Sequence, residues 1–379
     1  MIVVGGGMAG VSIGCELAAD RRVLVVDMEP TLAYHTTGRS AAMFLESYGG
    51  SSIRALTTAS RSFLESAADG QLLRPLPMLH VGRPGHGEAI RRLHEEVSAL
   101  VPDVELLQPV DAAALQPLLR PGAIELAVLE PGAMEIDVHA LHQHFLGGLR
   151  RRGGSVAVGA RLAAANRVGD AWTVTAADGR TWNAPVVVDA AGAWADDVAS
   201  AFGAGRAGLR ALRRTAFMVD APTGAAAPMI ADIDDAFYVK PDAGRLLCSP
   251  ADETAQEPGD ARPDTLEIAR AIEVINATTT LDVRHVRSSW AGLRNFVADR
   301  TPVVGFDGGV DGFFWFAAQG GYGIQTAPAL AATGAALLRG EPVPADVAAR
   351  GLTAAALAPD RPALAAATLR RNATTLGRG

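Results

Sequence analysis

The chain opens on a short apolar run, Ile2-Val-Val4, followed by glycines and then by small, mostly apolar residues from Met8 to Ala19. A run of that length reads as a buried strand, and the small-residue stretch as a helix packed close upon it. A second run, Val23-Leu-Val-Val-Asp27, predicts another buried strand that ends on an acid. Helical spacing returns over residues 87–100 and 137–152, where apolar positions recur every three or four residues. Proline-marked Leu72–Met78 reads as strands and crossings, and Ser155–Val158 and Trp172–Ala176 as short strands. Pro185-Val-Val-Val-Asp-Ala-Ala-Gly192 is a buried strand running into a second glycine turn. Leu212–Val219, Ala236–Val239 and Leu246–Ser249 are further strand candidates, and residues 312–338 return to strand, glycine turn and helix. From Pro342 onward the composition turns to Ala, Pro and Arg, predicting a short helix and then a mobile tail after about Arg361.

The glycines at the first turn have a specific spacing, Gly5-x-Gly7-x-x-Gly10, and Asp27 follows Gly7 by twenty residues. In a dinucleotide clasp the first glycine allows the tight turn and the second lets backbone approach a pyrophosphate. The third lets the helix sit close on its strand, and the acid meets a ribose hydroxyl. The helix N-terminus then faces the phosphates.

The order of elements shapes the reading further. Dinucleotide-type elements stand at the start, near 185–200 and near 300–338, with two long insertions between them. A nicotinamide dehydrogenase would complete its second mononucleotide half directly after the first, whereas here a polar loop, Tyr34-His-Thr-Thr-Gly-Arg-Ser-Ala-Ala42, intervenes. The layout favours a tightly held FAD. The expected fold is α/β, a Rossmann-type FAD-binding domain with a smaller α+β, mixed-sheet substrate domain. The first is expected over residues 1–78, 142–208 and 298–350, the second over 79–141 and 209–297, with 351–379 as a C-terminal segment.

Near the far end, Gln319-Gly-Gly-Tyr-Gly-Ile-Gln-Thr326 leads into a helix, with Thr326 as its expected N-cap and Pro328 in its first turn. A helix start beside a flavin's pyrimidine edge would stabilise the anionic reduced ring. Close helix packing through Ala and Gly is the plainer alternative.

Composition narrows the classes. The 379 residues are 49% hydrophobic and 20% charged with a formal net charge of −7, which gives no electrostatic footprint for nucleic acid. No apolar stretch reaches the length of a membrane span and no basic leader precedes the first strand, so a cytoplasmic protein is expected. Cys15 and Cys248 lack metal or redox spacing and read as small buried hydrophobes. His139, His142 and His144 read as a helix surface rather than a metal site, and Asp232-Ile-Asp-Asp235 as a solvated turn rather than a calcium loop.

Several segments together resemble the glutathione-reductase-type FAD oxidoreductases of the D-amino-acid oxidase group, most closely the bacterial FAD-dependent D-arginine dehydrogenases. The likeness runs over about residues 1–358. It rests on Tyr34–Ala42, Ser47-Tyr-Gly49 with Arg54-Ala-Leu-Thr57, Val188–Trp194, Arg213–Phe217, Phe237–Gly244, Trp290–Arg294 and Phe314–Thr326. The resemblance implies non-covalent FAD held by Gly5, Gly7, Gly10, Asp27, Thr37, Gly38, Arg39, Ser40, Ala41, Ala42, Leu162, Ala191, Gly192, Trp194, Gly320, Gly323, Ile324, Gln325 and Thr326. It also implies a substrate carboxylate gripped by Arg214 and Arg294 with help from Tyr238, Tyr48 in the active site, and Gly321 beside the substrate amine. A guanidinium fork suits the first task because it stays charged and bonds both carboxylate oxygens in one plane. Read singly, Arg213-Arg214 is also compatible with a solvated pair and either tyrosine with the edge of a core.

Two positions depart from the D-arginine pattern. Met78 stands where those enzymes carry a glutamate for the substrate guanidinium, and Met43 where they carry a histidine. Methionines fill an apolar pocket adaptably but cannot compensate a desolvated cation. Glu46, in the same segment, is the residue that could restore a partner. The expected reaction is oxidative deamination of a D-amino acid with a neutral or apolar side chain. Hydride leaves Cα for flavin N5, and the imino acid hydrolyses to a 2-oxo acid and ammonia. Alternatives are oxidation of a 2-hydroxy acid, an N-methyl or cyclic amino acid or a specialised-pathway intermediate, and a non-catalytic FAD-binding or electron-carrying protein. The electron acceptor, whether oxygen, a quinone or a carrier protein, leaves no motif.

Overall fold

Two large sheets divide the work of the chain, and each is built by the alternation of side chains along its strands. The structure, a computed structural model, describes residues 1–101, 103–222 and 228–364. The first sheet has six strands in the order Val303–Phe306, Phe313–Ala317, Val187–Asp189, Ile2–Val4, Leu24–Val26, Ser155–Ala157, all parallel except the Val303–Phe306 edge. Ile2–Val4 is central, and the strands that flank it are reached by excursions to opposite sides. The crevice at its carboxyl end is therefore a topological switch point, where open α/β sheets take ligands.

Both faces of this sheet are covered, which is why its strands read as unbroken apolar runs. Val3, Val25, Val188, Phe314 and Phe316 turn to one side, under the helices Met8–Leu17, Val138–Arg151 and Ala327–Leu338. Ile2, Val4, Val187, Phe313 and Trp315 turn to the other, against a three-stranded antiparallel sheet (Leu162–Val168, Ala171–Ala176, Thr181–Ala184) and the helix Ala195–Ala201. Gly10 brings the first helix into contact with its strand: a Cβ there would collide with the carbonyl oxygen of Gly5.

The second sheet is mixed and has nine strands. Eight run in the order Thr254–Ala255, Arg210–Asp220, Arg245–Ser249, Tyr238–Asp242, Met229–Asp232, Met78–Gly82, Leu126–Glu130, Glu105–Leu107, and the ninth, Ser288–Phe296, also pairs with Arg210–Asp220. One face carries Leu79, Val81, Phe217, Ile230, Val239 and Cys248 beneath the helix Thr265–Thr278. The other face is only partly covered and faces the carboxyl end of the first sheet. A small sheet of Met43–Phe44, Met134–Ile136 and Leu73–Pro75 lies between.

The predicted helices and strands mostly lie within a residue or two of those observed. The strand expected from Ala236 starts at Tyr238, because Asp235 adopts a positive φ of 55° in the turn before it. Helices that carry no expectation from the periodicity include Ser51–Ser66, Pro109–Leu115 and Thr265–Thr278, although Asp264-Thr-Leu-Glu267 is a recognisable start signal. In the latter the Asp264 carboxylate caps the N–H of Leu266 at 2.9 Å. Arg361 is not the start of a loose end: its buried guanidinium pairs with Asp299 at 2.7 Å and donates to the Pro302 and Leu357 carbonyls. The tail expected to be mobile lies outside the described residues from 365 onward. The three histidines are not a uniform surface either, since His142 is buried with Nε2 3.0 Å from the Gly6 carbonyl oxygen. Among the described residues no cluster of His, Cys, Asp or Glu is arranged to hold a metal, and no helix is long and apolar enough to cross a membrane.

Gly10→Ala should lower thermal stability by about 1–3 kcal/mol through overpacking. Gly14→Ala should cost clearly less, because its Cβ would meet side chains only, Val25 at 3.2 Å and Leu149 and Val23 at 3.7 Å; differential scanning calorimetry of the two variants checks the contrast. Asp189, fully buried at the end of Val187–Asp189, has one oxygen without a partner, and burial holds its carboxyl well above the ordinary range. A raised folded-state pKa means stability present below the unfolded value of about 4 is lost as pH rises through the elevated one. Denaturant midpoints measured against pH should fall across that window, and Asp189→Asn should flatten the fall.

Candidate active site

A cavity of about 610 Å³ lies between the carboxyl end of the parallel sheet and the open face of the mixed sheet. That is within the roughly 300–1,000 Å³ common for small-molecule sites. At one end the walls are backbone and small residues: Gly5, Gly7, Met8 and Ala9 at the start of the first helix, Ala190–Trp194 after the second glycine turn, and Leu162. Gly7 caps the helix without any side-chain hydrogen bond, and only the Met8 N–H is taken by a side chain, the Thr37 hydroxyl at 2.9 Å. Open N–H groups and a dipole end there suit a pyrophosphate.

Asp27 lines the same end, but its oxygens already accept from the N–H of Gly6 (2.6 Å) and Glu29 (2.8 Å). Burial is the main cause holding its carboxyl above the ordinary range. The acid thus shapes the glycine turn as well as facing the cavity. Glu29 in turn pairs with His35 at 2.9 Å, whose ring lies 4.7 Å from that of Trp194.

The polar loop after the second strand ties this end to the mixed sheet. Thr36 donates to the Leu293 carbonyl at 2.7 Å, and Arg39 pairs with Asp260 and donates to the Ala291 carbonyl at 2.9 Å. Thr37, Arg39, Ser40, Ala41 and Ala42 line the cavity, whereas Gly38 does not; its N–H closes a turn onto the Ala33 carbonyl. Gly10 likewise serves packing rather than the cavity wall.

From the far end of the chain Gly320, Gly321, Gly323, Ile324 and Gln325 join the wall. Thr326 does not, nor does it cap the helix as expected. Its hydroxyl donates back to the Tyr322 carbonyl at 2.9 Å, and the Ser60 hydroxyl accepts from the Ala329 N–H at 3.2 Å instead. Gln325 is also a structural tie, donating to Thr57 at 2.9 Å and accepting from the Leu45 N–H at 3.2 Å.

Two guanidiniums mark the middle of the cavity. Arg214 and Arg294 come from paired antiparallel strands, in which Leu212 stands opposite Arg294 and Arg214 opposite Gly292, so both project from one face. Arg214 donates to the Asp252 carbonyl at 3.0 Å and lies 3.3 Å from Glu253. Glu253 is mainly committed to Arg300, through contacts of 2.8 and 3.0 Å. Arg294 forms no ion pair among the described residues; its hydrogen bond is to the Tyr48 hydroxyl at 3.2 Å. Burial, then the neighbouring charge of Arg294, holds the Arg214 pKa below its usual value. A Cβ at Gly321 would stand 3.0 Å from the Arg294 guanidinium carbon, so the bare glycine lets that group lie flat on the turn.

Beyond the arginines the wall becomes apolar. Met78, Met229, Leu45 and Ala231 form one buried cluster with Met43 and Tyr238 against it. The two methionines singled out in the sequence therefore belong to one apolar wall, and Met229, which pairs with Met78 in register, is part of it. Glu46 does not line this cavity: Arg61 takes its carboxylate, with Nε at 3.1 Å. The acidic run is not a purely solvated turn, since the Asp232 side chain is fully buried and paired with Arg83 at 2.8 Å. Met229 and His80 are wall residues that carried no expectation, and Asp232 and Asp235, expected in a solvated turn, line the wall as well. The available signal was the strand alternation, which puts His80 on the face of Met78 and Ala231 on the face of Met229.

Comparison with known proteins agrees with this geometry. The model of the DAO family, described as FAD dependent oxidoreductase, matches residues 1–337. A crystal structure of glycine oxidase from Geobacillus kaustophilus superposes with a TM-score of 0.81 at 20% identity, covering 93% of this chain and 98% of that one. L-proline dehydrogenase from P. horikoshii superposes with a TM-score of 0.78 at 18% identity, covering 90% and 94%. Among curated proteins, FAD-dependent oxidoreductase domain-containing protein 1 of Bos taurus is 26% identical over 163 residues. That match spans 38% of this chain and 34%, about a third, of the relative. With the glycine clasp, the open helix start and the switch-point cavity all in place, the chain belongs to the DAO family of FAD-dependent oxidoreductases.

Proposed function

We infer that the protein oxidises a D-amino acid with a neutral or apolar side chain, in preference to arginine, to the imino acid that hydrolyses to a 2-oxo acid and ammonia. The observation that carries this reading is Arg294, a largely enclosed guanidinium facing the cavity with no carboxylate of its own. It stands beside Arg214, and the methionine-lined wall begins just past Tyr238. An α-carboxylate supplies the missing counter-charge, and two guanidiniums plus a phenol fix its plane and therefore the direction of Cα. Bound FAD, held non-covalently, supplies the two-electron acceptor for the Cα hydride.

The residues of this chain do the positioning. Arg214 and Arg294 hold the carboxylate, and the Tyr238 hydroxyl donates to it. Tyr48 accepts from Arg294 and keeps its fork turned to the cavity. Gly321 supplies the backbone beside the substrate amine. Met43, Met78 and Met229 exclude water from the side chain and offer no partner to a cation, whose burial unpaired costs several kcal/mol. The resemblance to D-arginine dehydrogenases supports the D configuration, and the two methionine positions support the shift away from arginine.

Anaerobic mixing of the oxidised protein with amino acids, while the flavin's visible absorbance is followed, tests the reading. D-leucine, D-methionine and D-phenylalanine should bleach the flavin with kcat/KM well above that for D-arginine. Bleaching by L-amino acids, sarcosine, proline or 2-hydroxy acids alone would replace this substrate assignment with the matching one. Arg294→Lys should lower kcat/KM by roughly a hundredfold or more, since a point charge replaces a two-pronged donor; steady-state kinetics on the best substrate measures it. The amine must be neutral to lose hydride from Cα. The kcat/KM profile should therefore rise with pH through the substrate amine's ionisation, and a flat profile would count against the reading.

A further inference from the structure

Among the further polar groups that line the cavity, His80 is one that neither the clamp nor the cofactor end uses. His80 lies on Met78–Gly82, two residues past Met78 and so on the same face. Its neighbours at the cavity are apolar: Met78, Ala231, Leu93 and Ile233 also line it. The imidazole forms no hydrogen bond or ion pair with any described residue, whereas Asp232, a wall residue on the adjacent strand, is neutralised by Arg83. A polar ring facing an otherwise apolar end of a cavity leaves hydrogen-bonding capacity for whatever fills that end.

Register places the ring relative to the clamp. His80 stands opposite Ala231, and Ala231 stands opposite Tyr238, so the three occupy one row across adjacent strands. Two interstrand steps of about 4.8 Å each separate the backbones of Tyr238 and His80, roughly 10 Å in all. A substrate whose carboxylate meets Tyr238 and the arginines therefore reaches the imidazole only with a long side chain. Burial depresses the His80 pKa to about 4, so the ring is neutral at ordinary pH, a donor at one nitrogen and an acceptor at the other.

We propose that His80 is a specificity-determining residue that hydrogen-bonds the distal end of the substrate side chain. The preferred substrate is then a long α-amino acid, apolar along its middle and ending in a neutral hydrogen-bonding group such as an amide, urea or indole N–H. The inference rests on the proposed carboxylate clamp and deepens it: the methionines contact the middle of the side chain and His80 its tip. Aliphatic side chains fill the methionine section but leave the imidazole unpaired, and for cationic ones the carboxylates of the wall are already engaged, Asp232 by Arg83 and Asp235 by the charges of Arg214 and Arg294.

Binding of two non-oxidisable probes to the FAD-loaded protein tests this without turnover. Hexanoate and adipamate share a carboxylate and a chain length and differ in the terminal amide; each is titrated by its perturbation of the flavin's visible spectrum. Adipamate should bind about three- to tenfold more tightly than hexanoate, the range of one net neutral hydrogen bond. His80→Leu should abolish the preference while leaving hexanoate affinity within about twofold, and His80→Gln should restore part of it. Unchanged FAD content in both variants guards against a merely structural loss. No preference in the parent protein, no binding of either probe, or a preference that survives in His80→Leu overturns the proposal. A His80-dependent preference in a protein whose flavin no D-amino acid bleaches would leave the subsite standing and remove the proposed reaction.

Discussion

Two guanidiniums directed into one enclosed space are the constraint around which the cavity is organised. Arg214 and Arg294 repel each other, and burial penalises both, so their positions must be imposed by the surrounding structure. Strand pairing imposes them: adjacent antiparallel strands set both side chains on one sheet face, and neither can turn away without breaking the ladder. Glu253 neutralises part of Arg214 but is shared with Arg300, and Tyr48 offers Arg294 a hydroxyl rather than a charge. The residual positive potential is what an anionic group entering the cavity would relieve. The stability sacrificed in assembling such a site is a feature of functional centres generally.

That face could not be kept free for ligand unless the rest of the sheet were anchored elsewhere. Its opposite side supplies the anchor, with Leu79, Val81, Phe217, Ile230, Val239 and Cys248 packed under a helix. The parallel sheet shows the complementary solution, buried on both faces and open only at its carboxyl end. Close approach at Gly5 and Gly10 keeps the first helix tight against its strand, so that the helix N-terminus opens onto the cavity. The two sheets thus contribute different chemistry to one space, fixed N–H dipoles from the first and side-chain charge, phenol, thioether and imidazole from the second. The loop at 34–42 joins them through Thr36 and Arg39.

Much of this was readable along the chain. Local rules suffice for Ile2–Val4, Val187–Asp189 and Phe313–Ala317, because strands buried on both faces must be apolar throughout. Local rules also suffice for the glycine clasp, whose spacing is set by steric contacts within one strand-turn-helix unit. Met43 and Met78 could be read as a pocket from their departure from a family pattern, though nothing local says that they touch. Thr326 illustrates the opposite case: its sequence context suits an N-cap, yet the hydroxyl is drawn to the Tyr322 carbonyl because Ser60, distant in sequence, already serves the Ala329 N–H. Glu46 is similar, being claimed by Arg61 from the next helix.

The sequence by itself determined many of the secondary elements, the clasp and the inventory of groups, because periodicity, glycine sterics and residue chemistry act over a few neighbouring positions. Tertiary structure alone decided which groups share a cavity. His142 is buried against Gly6 while the acid at Asp232 is neutralised by Arg83, and Tyr238, Ala231 and His80 form one row although they come from three separate strands. The physical reason is register. Side-chain direction in a sheet alternates with every residue, so a one-residue slip in pairing would turn His80 and the arginines into the core and bring Leu79 and Leu293 to the cavity. That pairing is selected by the burial of the whole opposite face, a property of the assembled sheet and not of any single strand.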